Sequence, residues 1–416
     1  MGQIKKASVE NIKKDLENLA KYNSTPGEGI TRVLFYEEEL KGREFIKKRM
    51  AENGMAVRED DVGNIFGTIE GFEPNEAPVW TGSHIDTVLN AGMFDGTVGV
   101  IGGMEALRLI KESGLRHKRN IEVIVYTSEE PTRFGIGCLG SRTMAGELNA
   151  DDMKSMKDKN GISFAEVLKS LGHNINEISK IKREKGDVYG AIELHIEQGA
   201  VLDTKKVGIG IVTTISAPTD IRIKIFGTQE HAGATPMNMR RDPMSAAAEI
   251  MLGLESLARN AKDYSTVATV GKVNVFPGST NVIPGWVEIS IDIRSADMYD
   301  KNILIEKLRS ILEYVEAVRN VKVKMDVISH DTPAHADSKI VDCIKEICEA
   351  RGHEYNLMVS GAYHDSMFIS KFAPFSMIFV PSKNGISHHS DEWTEFEDIA
   401  RGTDVLAESL YRLSNE

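Results

Sequence analysis

The sequence predicts an α/β protein with a smaller α+β domain inserted into it, and three observations carry that expectation. At 416 residues the chain exceeds the roughly 250 to 300 at which one hydrophobic core stops growing, so two domains are the default. Short apolar runs ending in polar residues alternate with helix-like stretches, the pattern of a sheet covered by helices. In the middle of the chain the order becomes strand, helix, strand, strand, helix, strand, the split unit of a ferredoxin-like domain.

In chain order, Ile12, Leu16 and Leu19 fall on one helical face, and a second helical stretch runs from about Glu37 to Asn53. Val79 to Thr81, Ile121 to Tyr126 and Ala191 to Glu193 read as strands, separated by helix-like segments such as Val98 to Lys111. That alternation predicts a mostly parallel sheet with chemistry at the strand ends. Gly, Thr, Ser and Pro around Val207 to Pro218 suit a crossing point. Strand Asp220 to Phe226, helix Pro243 to Leu257, strands near Val267 to Val275 and Gly285 to Arg294, a helix from about Tyr299 to Val318 and strand Val321 to Ser329 follow. His330 to Ala336 suits the return, and helix Ser338 to Arg351, strand Ser376 to Val380 and a closing helix after Glu397 resume the α/β pattern.

Hydrophobic residues make up 41% and charged residues 27% of the chain, average globular usage that excludes disordered and fibrous classes. The 50 basic and 62 acidic side chains leave a formal charge of -12, so nucleic acid is not an expected partner. Cys138, Cys343 and Cys348 cannot make a disulfide framework, and a reducing cytoplasm is the expected compartment. No signal-peptide-like apolar core and no uncharged run long enough to span a bilayer is present, so neither secretion nor a membrane is expected. Met1-Gly2 does not extend into a myristoylation motif, because Lys6 stands where Ser or Thr is needed.

Several short segments carry chemistry. In Ser83-His84-Ile85-Asp86, an imidazole and a carboxylate two residues apart after a strand point the same way, so one can bind a metal while the other orients it. Alone, such a pair is more often an ordinary hydrogen bond. Asp95 lies in Phe94-Asp95-Gly96 ahead of a small-residue run from Val98 to Gly103, and by itself reads as a turn. Ser128-Glu129-Glu130-Pro131 ends a strand with adjacent carboxylates, which are tolerable near cations. His195 lies in the strand-like Glu193-Leu194-His195-Ile196-Glu197-Gln198, and Ser387-His388-His389 adds imidazoles near the end of the chain. Imidazoles and carboxylates gathered at strand ends and in Gly-bounded loops are hard to explain without a metal cluster.

With these motifs in this order, the chain resembles dinuclear metal amidohydrolases of the carboxypeptidase and aminoacylase clan, in the branch that cleaves ureido or N-carbamoyl compounds. That branch comprises N-carbamoyl-L-amino-acid hydrolases, allantoate amidohydrolases and ureidoglycolate amidohydrolases. The resemblance runs from about Gly29 to the end. It implies a mixed-sheet metallohydrolase catalytic domain over 1–213 and 330–416, with a ferredoxin-like α+β lid and dimerisation domain inserted over 214–329. It implies two divalent ions per subunit, Zn2+ or Mn2+, held by His84, Asp95, Glu130, His195 and His388. Asp95 would bridge the ions and be followed by a cis peptide. His84 and His195 would lie on different ions, with the allotment of the remaining imidazoles open.

The same resemblance makes Glu129 the general base and Asp86 a partner of His84. His231, in Gln229-Glu230-His231-Ala232-Gly233, would polarise the scissile carbonyl in the partner subunit's site of a homodimer. Gln198, Asn281, Arg294 and His364 would bind substrate, Asn281 and Arg294 gripping its carboxylate. His388 matches the family pattern of Ser, His and a Glu four residues on, at Ser387, His388 and Glu392; spacing alone leaves His389 open. Tyr363 and Glu129 to Phe134 lean toward ureidoglycolate enzymes. The expected function is hydrolysis of the C–N bond of a small carboxylated ureide. An aminoacylase or dipeptidase on the same scaffold is the alternative, and a binding protein without catalysis is the reading of another class.

Overall fold

A computed structural model describes residues 4–416; the Met1-Gly2 start lies outside them. The chain divides into two compact units. One holds the chain up to Thr213 together with His335–Met358 and His364–Glu416; the other holds Thr214–Ala334 and Val359–Tyr363. Among the described residues no helix is long and apolar enough to cross a membrane.

The larger unit opens with α1 (Val9–Leu19) and α2 (Glu37–Glu52), followed by the hairpin β1 (Ala56–Glu59) and β2 (Ile65–Ile69). Then come β3 (Val79–Ser83), α3 (Thr97–Glu112), β4 (Ile121–Val125), β5 (Gly190–Ile196) and β6 (Ile209–Ile215). Ser8 caps α1, its hydroxyl accepting from the Asn11 N–H, and Ile12, Leu16 and Leu19 are buried as their spacing requires.

The smaller unit runs β7 (Ala217–Phe226), α4 (Pro243–Arg259), β8 (Val267–Phe276), β9 (Trp286–Ser295), α5 (Met298–Arg319) and β10 (Lys322–Val327). Its four strands are ordered β10-β7-β9-β8 and pair antiparallel throughout. Period-2 alternation turns Ile221, Ile223 and Ile225 of β7 and Ile289, Ile291 and Ile293 of β9 inward. They meet Ala246, Ile250 and Leu254 of α4 and Leu304, Leu308 and Leu312 of α5. Asp242 and Asp297 cap the two helices, each side chain accepting two backbone N–H groups. The short strands Glu230–His231 and Val282–Ile283 pair separately.

The larger unit closes with α6 (Ser338–Arg351), β11 (Phe375–Val380) and α7 (Phe396–Leu413). Its sheet has the order β1-β2-β4-β3-β5-β11-β6, extended by the short strand Ala334–His335. The expectation of a mostly parallel sheet needs correction: β4, β3, β5 and β11 are parallel, while β1, β2 and β6 join antiparallel at the flanks. The flank strands escaped the sequence reading for local reasons. Gly67 interrupts β2, where a side chain would strike the Met50 sulfur. Ile209–Ile215, rich in Gly and Thr, is a strand beside β11 and not part of a crossing loop.

α3 is buried along most of its length, and the small-residue run explains how. A Cβ on Gly99 would lie 2.6 Å from Ser83 Cβ, and one on Gly103 would lie 2.8 Å from Val123 Cγ2. The helix therefore lies directly on the parallel strands, with its N-terminus at their carboxyl ends.

Candidate active site

Each parallel strand delivers site residues at or just past its carboxyl end, where side chains can converge. β3 ends at Ser83 and hands on His84 and Asp86; β4 ends at Val125 and leads to Glu129 and Glu130. β5 carries His195 and is followed by Gln198, and β11 leads into the loop bearing His388. Asp95 sits immediately before α3. Ser128, Gln198 and His388 all have φ between 56° and 57°, a costly conformation for non-glycine residues that clusters where side chains must be aimed.

Two triads share one carboxylate. The ligand atoms of His84, Asp95 and His195 lie within 4.8 Å of one another, and so do those of Asp95, Glu130 and His388. Asp95 Oδ1 is 3.3 Å from His195 Nε2, and Asp95 Oδ2 is 3.0 Å from His388 Nε2. His388 Nε2 is also 3.6 Å from Glu130 Oε1. His84 and His195, expected on different ions, stand in one candidate triad, because β3 and β5 are neighbours and bring their terminal imidazoles together.

The tautomers follow from the neighbours. His84 Nδ1 donates to the Asp86 carbonyl at 2.9 Å and His195 Nδ1 to the Ile196 carbonyl at 2.9 Å, leaving each Nε2 as an inward-facing acceptor, that of His195 taking the Gly96 N–H at 3.2 Å. The Asp86 carboxylate, with Oδ1 3.8 Å from His84 Nδ1, also serves a second group. Its oxygens accept the N–H groups of Glu129 and Glu130 at 3.3 and 3.1 Å, so Asp86 serves His84 through its carbonyl and the two glutamates through its side chain.

The peptide after Asp95 is trans; Phe276–Pro277 is the cis bond among the described residues. Glu392 aims the loop instead, its Oε1 accepting the N–H groups of Phe94 and Asp95 at 3.0 and 3.1 Å. Its Oε2 accepts the Ser387 hydroxyl at 2.8 Å, so one carboxylate ties the Asp95 loop to the His388 loop. Gly96 has φ 66°, and a Cβ there would collide with the His84 ring.

Gln198 donates from Nε2 to Asp95 Oδ1 at 3.0 Å and meets His388 Nε2 at 3.3 Å. His364 is buried beside His195, ring centroids 4.5 Å apart, and clusters with Glu193. His389 points away from the cluster, accepting the Asp391 N–H. In the smaller unit, His231 is exposed, Asn281 accepts the Ala232 N–H through its carbonyl, and Arg294 pairs with Asp292. The sequence reading missed Glu193, whose buried carboxylate accepts the hydroxyls of Ser83 and Ser366 at 2.8 and 2.6 Å. Its spacing two residues before His195 on one strand face was the available signal.

The electrostatics favour cations. Burial, then Glu130 and other carboxylates, pushes Glu129 well above the usual range, and burial with Asp95 nearby raises Glu130 to about 8. Burial opposes ionisation of Asp95, yet the His388 hydrogen bond and the neighbouring imidazoles hold it below the usual range. The bond to Asp95 lifts His388 to about 9, whereas burial lowers His84 to about 4. Among the described residues the basic side chains that face Asp95, Glu129 and Glu130 are imidazoles, not lysines or arginines. A buried acidic cluster of this kind, with inward imidazole lone pairs and no thiolate in either triad, fits hard-to-borderline divalent ions.

Residues 80–412 match the model of peptidase family M20/M25/M40. The chain is 40% identical over 409 residues to ureidoglycolate hydrolase of Oryza sativa subsp. japonica, covering 97% of this chain and 84% of the relative. It is 35% identical over 407 residues to N-carbamoyl-L-amino-acid amidohydrolase of Pseudomonas sp. (strain NS671), covering 97% and 98%. The crystal structure of an amidase of the hydantoinase/carbamoylase family from Burkholderia multivorans superposes with a TM-score of 0.91 at 32% identity, covering 99% of each chain. The sheet, the convergence of the motifs at its carboxyl edge and these similarities agree: the chain belongs to peptidase family M20/M25/M40, among relatives named as a ureidoglycolate hydrolase and an N-carbamoyl-L-amino-acid amidohydrolase.

Proposed function

We propose that this protein is a metal-dependent amidohydrolase cleaving the C–N bond of a small carboxylated ureide, an N-carbamoyl-L-amino acid or a ureidoglycolate- or allantoate-type compound. The observation that carries the reading is the pair of triads sharing Asp95, with Glu129 beside them. His84, Asp95 and His195 would hold one divalent ion and Asp95, Glu130 and His388 the other, zinc or manganese by donor type. Such a pair supplies Lewis acidity at the carbonyl and lowers the pKa of a water.

The chain's own residues do the rest. Glu129, with Oε2 3.7 Å from His84 Nε2, takes the water's proton and passes it to the leaving nitrogen. Asp86 holds its backbone in place. His231 Nδ1 accepts the N–H groups of Gly233 and Ala234 at 3.0 and 3.2 Å, which keeps the ring proton on Nε2 as a donor to the scissile carbonyl. Asn281 and Arg294 bind the substrate carboxylate, and His364 and Gln198 the ureido end. The smaller unit serves as lid and dimerisation domain in a homodimer. The free thiols of Cys138, Cys343 and Cys348 suit a reducing, cytoplasmic setting.

The test is a substrate panel with added manganese or zinc: N-carbamoyl-L-amino acids, ureidoglycolate, allantoate, N-acyl amino acids and dipeptides. Release of ammonia from a ureide is the expected result. Turnover confined to dipeptides or N-acyl amino acids would overturn the ureide reading, and full metal occupancy without any turnover would overturn catalysis.

A further inference from the structure

The Arg294 guanidinium is held by groups of its own chain. Its Nε lies 3.1 and 3.2 Å from the Asp292 oxygens, Nη2 donates to Asp292 Oδ2 at 2.9 Å, and Nη1 donates to the Gly361 carbonyl at 3.0 Å. Asp292 and Arg294 stand two apart on β9 and project from the same sheet face. Of the five guanidinium N–H groups, Asp292 takes those along the Nε side and Gly361 one on Nη1. One hydrogen on each Nη is left over, a forked pair of the kind that meets a planar carboxylate.

The surroundings of Asp292 explain why its charge turns to Arg294. Directly across the ladder on β7 stands Asp220, a like charge that disfavours the pairing. On the other side, its partner on β8 is the uncharged Thr269. Asp220 is served by the Ser329 hydroxyl at 2.8 Å. Asp292 therefore has Arg294 as its ion-pair partner among the described residues.

We propose that Asp292 is a positioning residue for substrate recognition, locking the Arg294 fork, with the Gly361 carbonyl, so that its two remaining Nη hydrogens face the substrate carboxylate. The inference rests on the reading of Arg294 as the carboxylate clamp. A long, half-exposed arginine left unheld would lose rotamer freedom on binding; here that ordering is done at folding, so it no longer weakens the complex. The clamp is then selective for a planar anion over its neutral carboxamide.

The experiment is steady-state kinetics on whichever of ureidoglycolate, allantoate and N-carbamoyl-L-alanine is turned over, and on its carboxamide, for wild type, D292A, D292N, R294A and D292A/R294A. In D292A, KM for the acid rises about tenfold while kcat changes less than about twofold, the scale of a lost charge-assisted hydrogen bond. D292N, whose amide oxygen still accepts from Nε, recovers part of that loss. The carboxamide is insensitive, and the double variant has the KM of R294A alone, because Asp292 acts through Arg294. An unchanged KM in both Asp292 variants beside a raised KM in R294A would overturn the proposal and leave the clamp standing. An unchanged KM in R294A would overturn the clamp and the proposal with it. A double variant worse than R294A would show that Asp292 acts by another route. If D292A instead restores the melting temperature lost in R294A, with KM unmoved, the pair only balances charge against Asp220 and the proposal fails.

Discussion

At the residue scale, the proposed mechanism gives two adjacent glutamates different tasks. Glu130 faces Asp95 and His388 as a ligand would, whereas Glu129 sits toward His84, outside both triads. Glu129→Gln is therefore expected to keep its metal and lose turnover by about 10²- to 10⁴-fold, the usual worth of a general base. Glu130→Gln should lose metal, measured by elemental analysis after dialysis. Comparable metal loss in both would reverse the assignment. A second residue gives a pH prediction away from the proposed metal centre. Lys301 is fully buried in the smaller unit, its Nζ donating to the carbonyls of Ala217 and Asp331, and burial lowers its pKa from 10.5 to about 8. Between about 8 and 10.5 the unfolded chain carries more protons than the folded one, so this group makes stability rise with pH across that window. Melting temperatures of wild type should gain on those of Lys301→Met from pH 8 to 10; parallel curves would refute it.

At the scale of elements, α3 positions the site because glycines let it touch the sheet. In Gly99→Ala the added methyl meets Ser83 Cβ and the Leu194 backbone. The expected cost is about 1 to 3 kcal/mol in urea unfolding, with weaker metal binding because Asp95 precedes this helix. Glu392 is the second structural device. Although it stands in neither triad, Glu392→Ala frees two N–H groups beside Asp95 and should lower metal affinity by roughly 10- to 100-fold, as loss of ligand-orienting partners does. Isothermal titration of the metal-stripped protein measures it, and an unchanged affinity would mean that Gly96 and the α3 N-terminus aim Asp95 unaided. Elements with strong periodicity, such as α1, β7, β9 and α5, were legible because their apolar positions follow one period. β1, β2 and β6 were not, since short strands with internal glycine or threonine carry almost no pattern of their own.

For the whole molecule, the proposed ions should also be a stabilising ligand. Binding to the folded state alone adds about 2.7 kcal/mol at a hundredfold excess over Kd, so manganese or zinc should raise the melting temperature and a chelator lower it. No shift with either ion would tell against the centre. The proposed homodimer is tested by complementation: His231→Ala and Glu129→Gln chains, each inactive alone, are mixed and allowed to exchange. If His231 serves the partner's site, a mixed dimer has one intact site and recovers up to half the wild-type activity. No recovery despite exchange would mean that His231 serves its own chain or none.

The sequence by itself, through the family its motifs resemble, determined the class of enzyme and the candidate residues. Imidazoles and carboxylates after strand-like runs, with Gly on either side of the Asp95 loop, were visible because ligand type and strand-end position are local properties. Spacing also limited the last imidazole to His388 or His389. Tertiary structure alone decided which of these residues meet. That His84 joins His195, that Asp86 holds the glutamate backbone and that Glu392 replaces a cis bond as the device aiming Asp95 all depend on strand order. So does the burial of Glu193 beneath His195 and His364. The physical reason is that a residue's type and local conformation are written in its neighbours along the chain, whereas its partners are set by which strands hydrogen-bond side by side. That order is fixed by packing across more than a hundred intervening residues, as between His84 and His195.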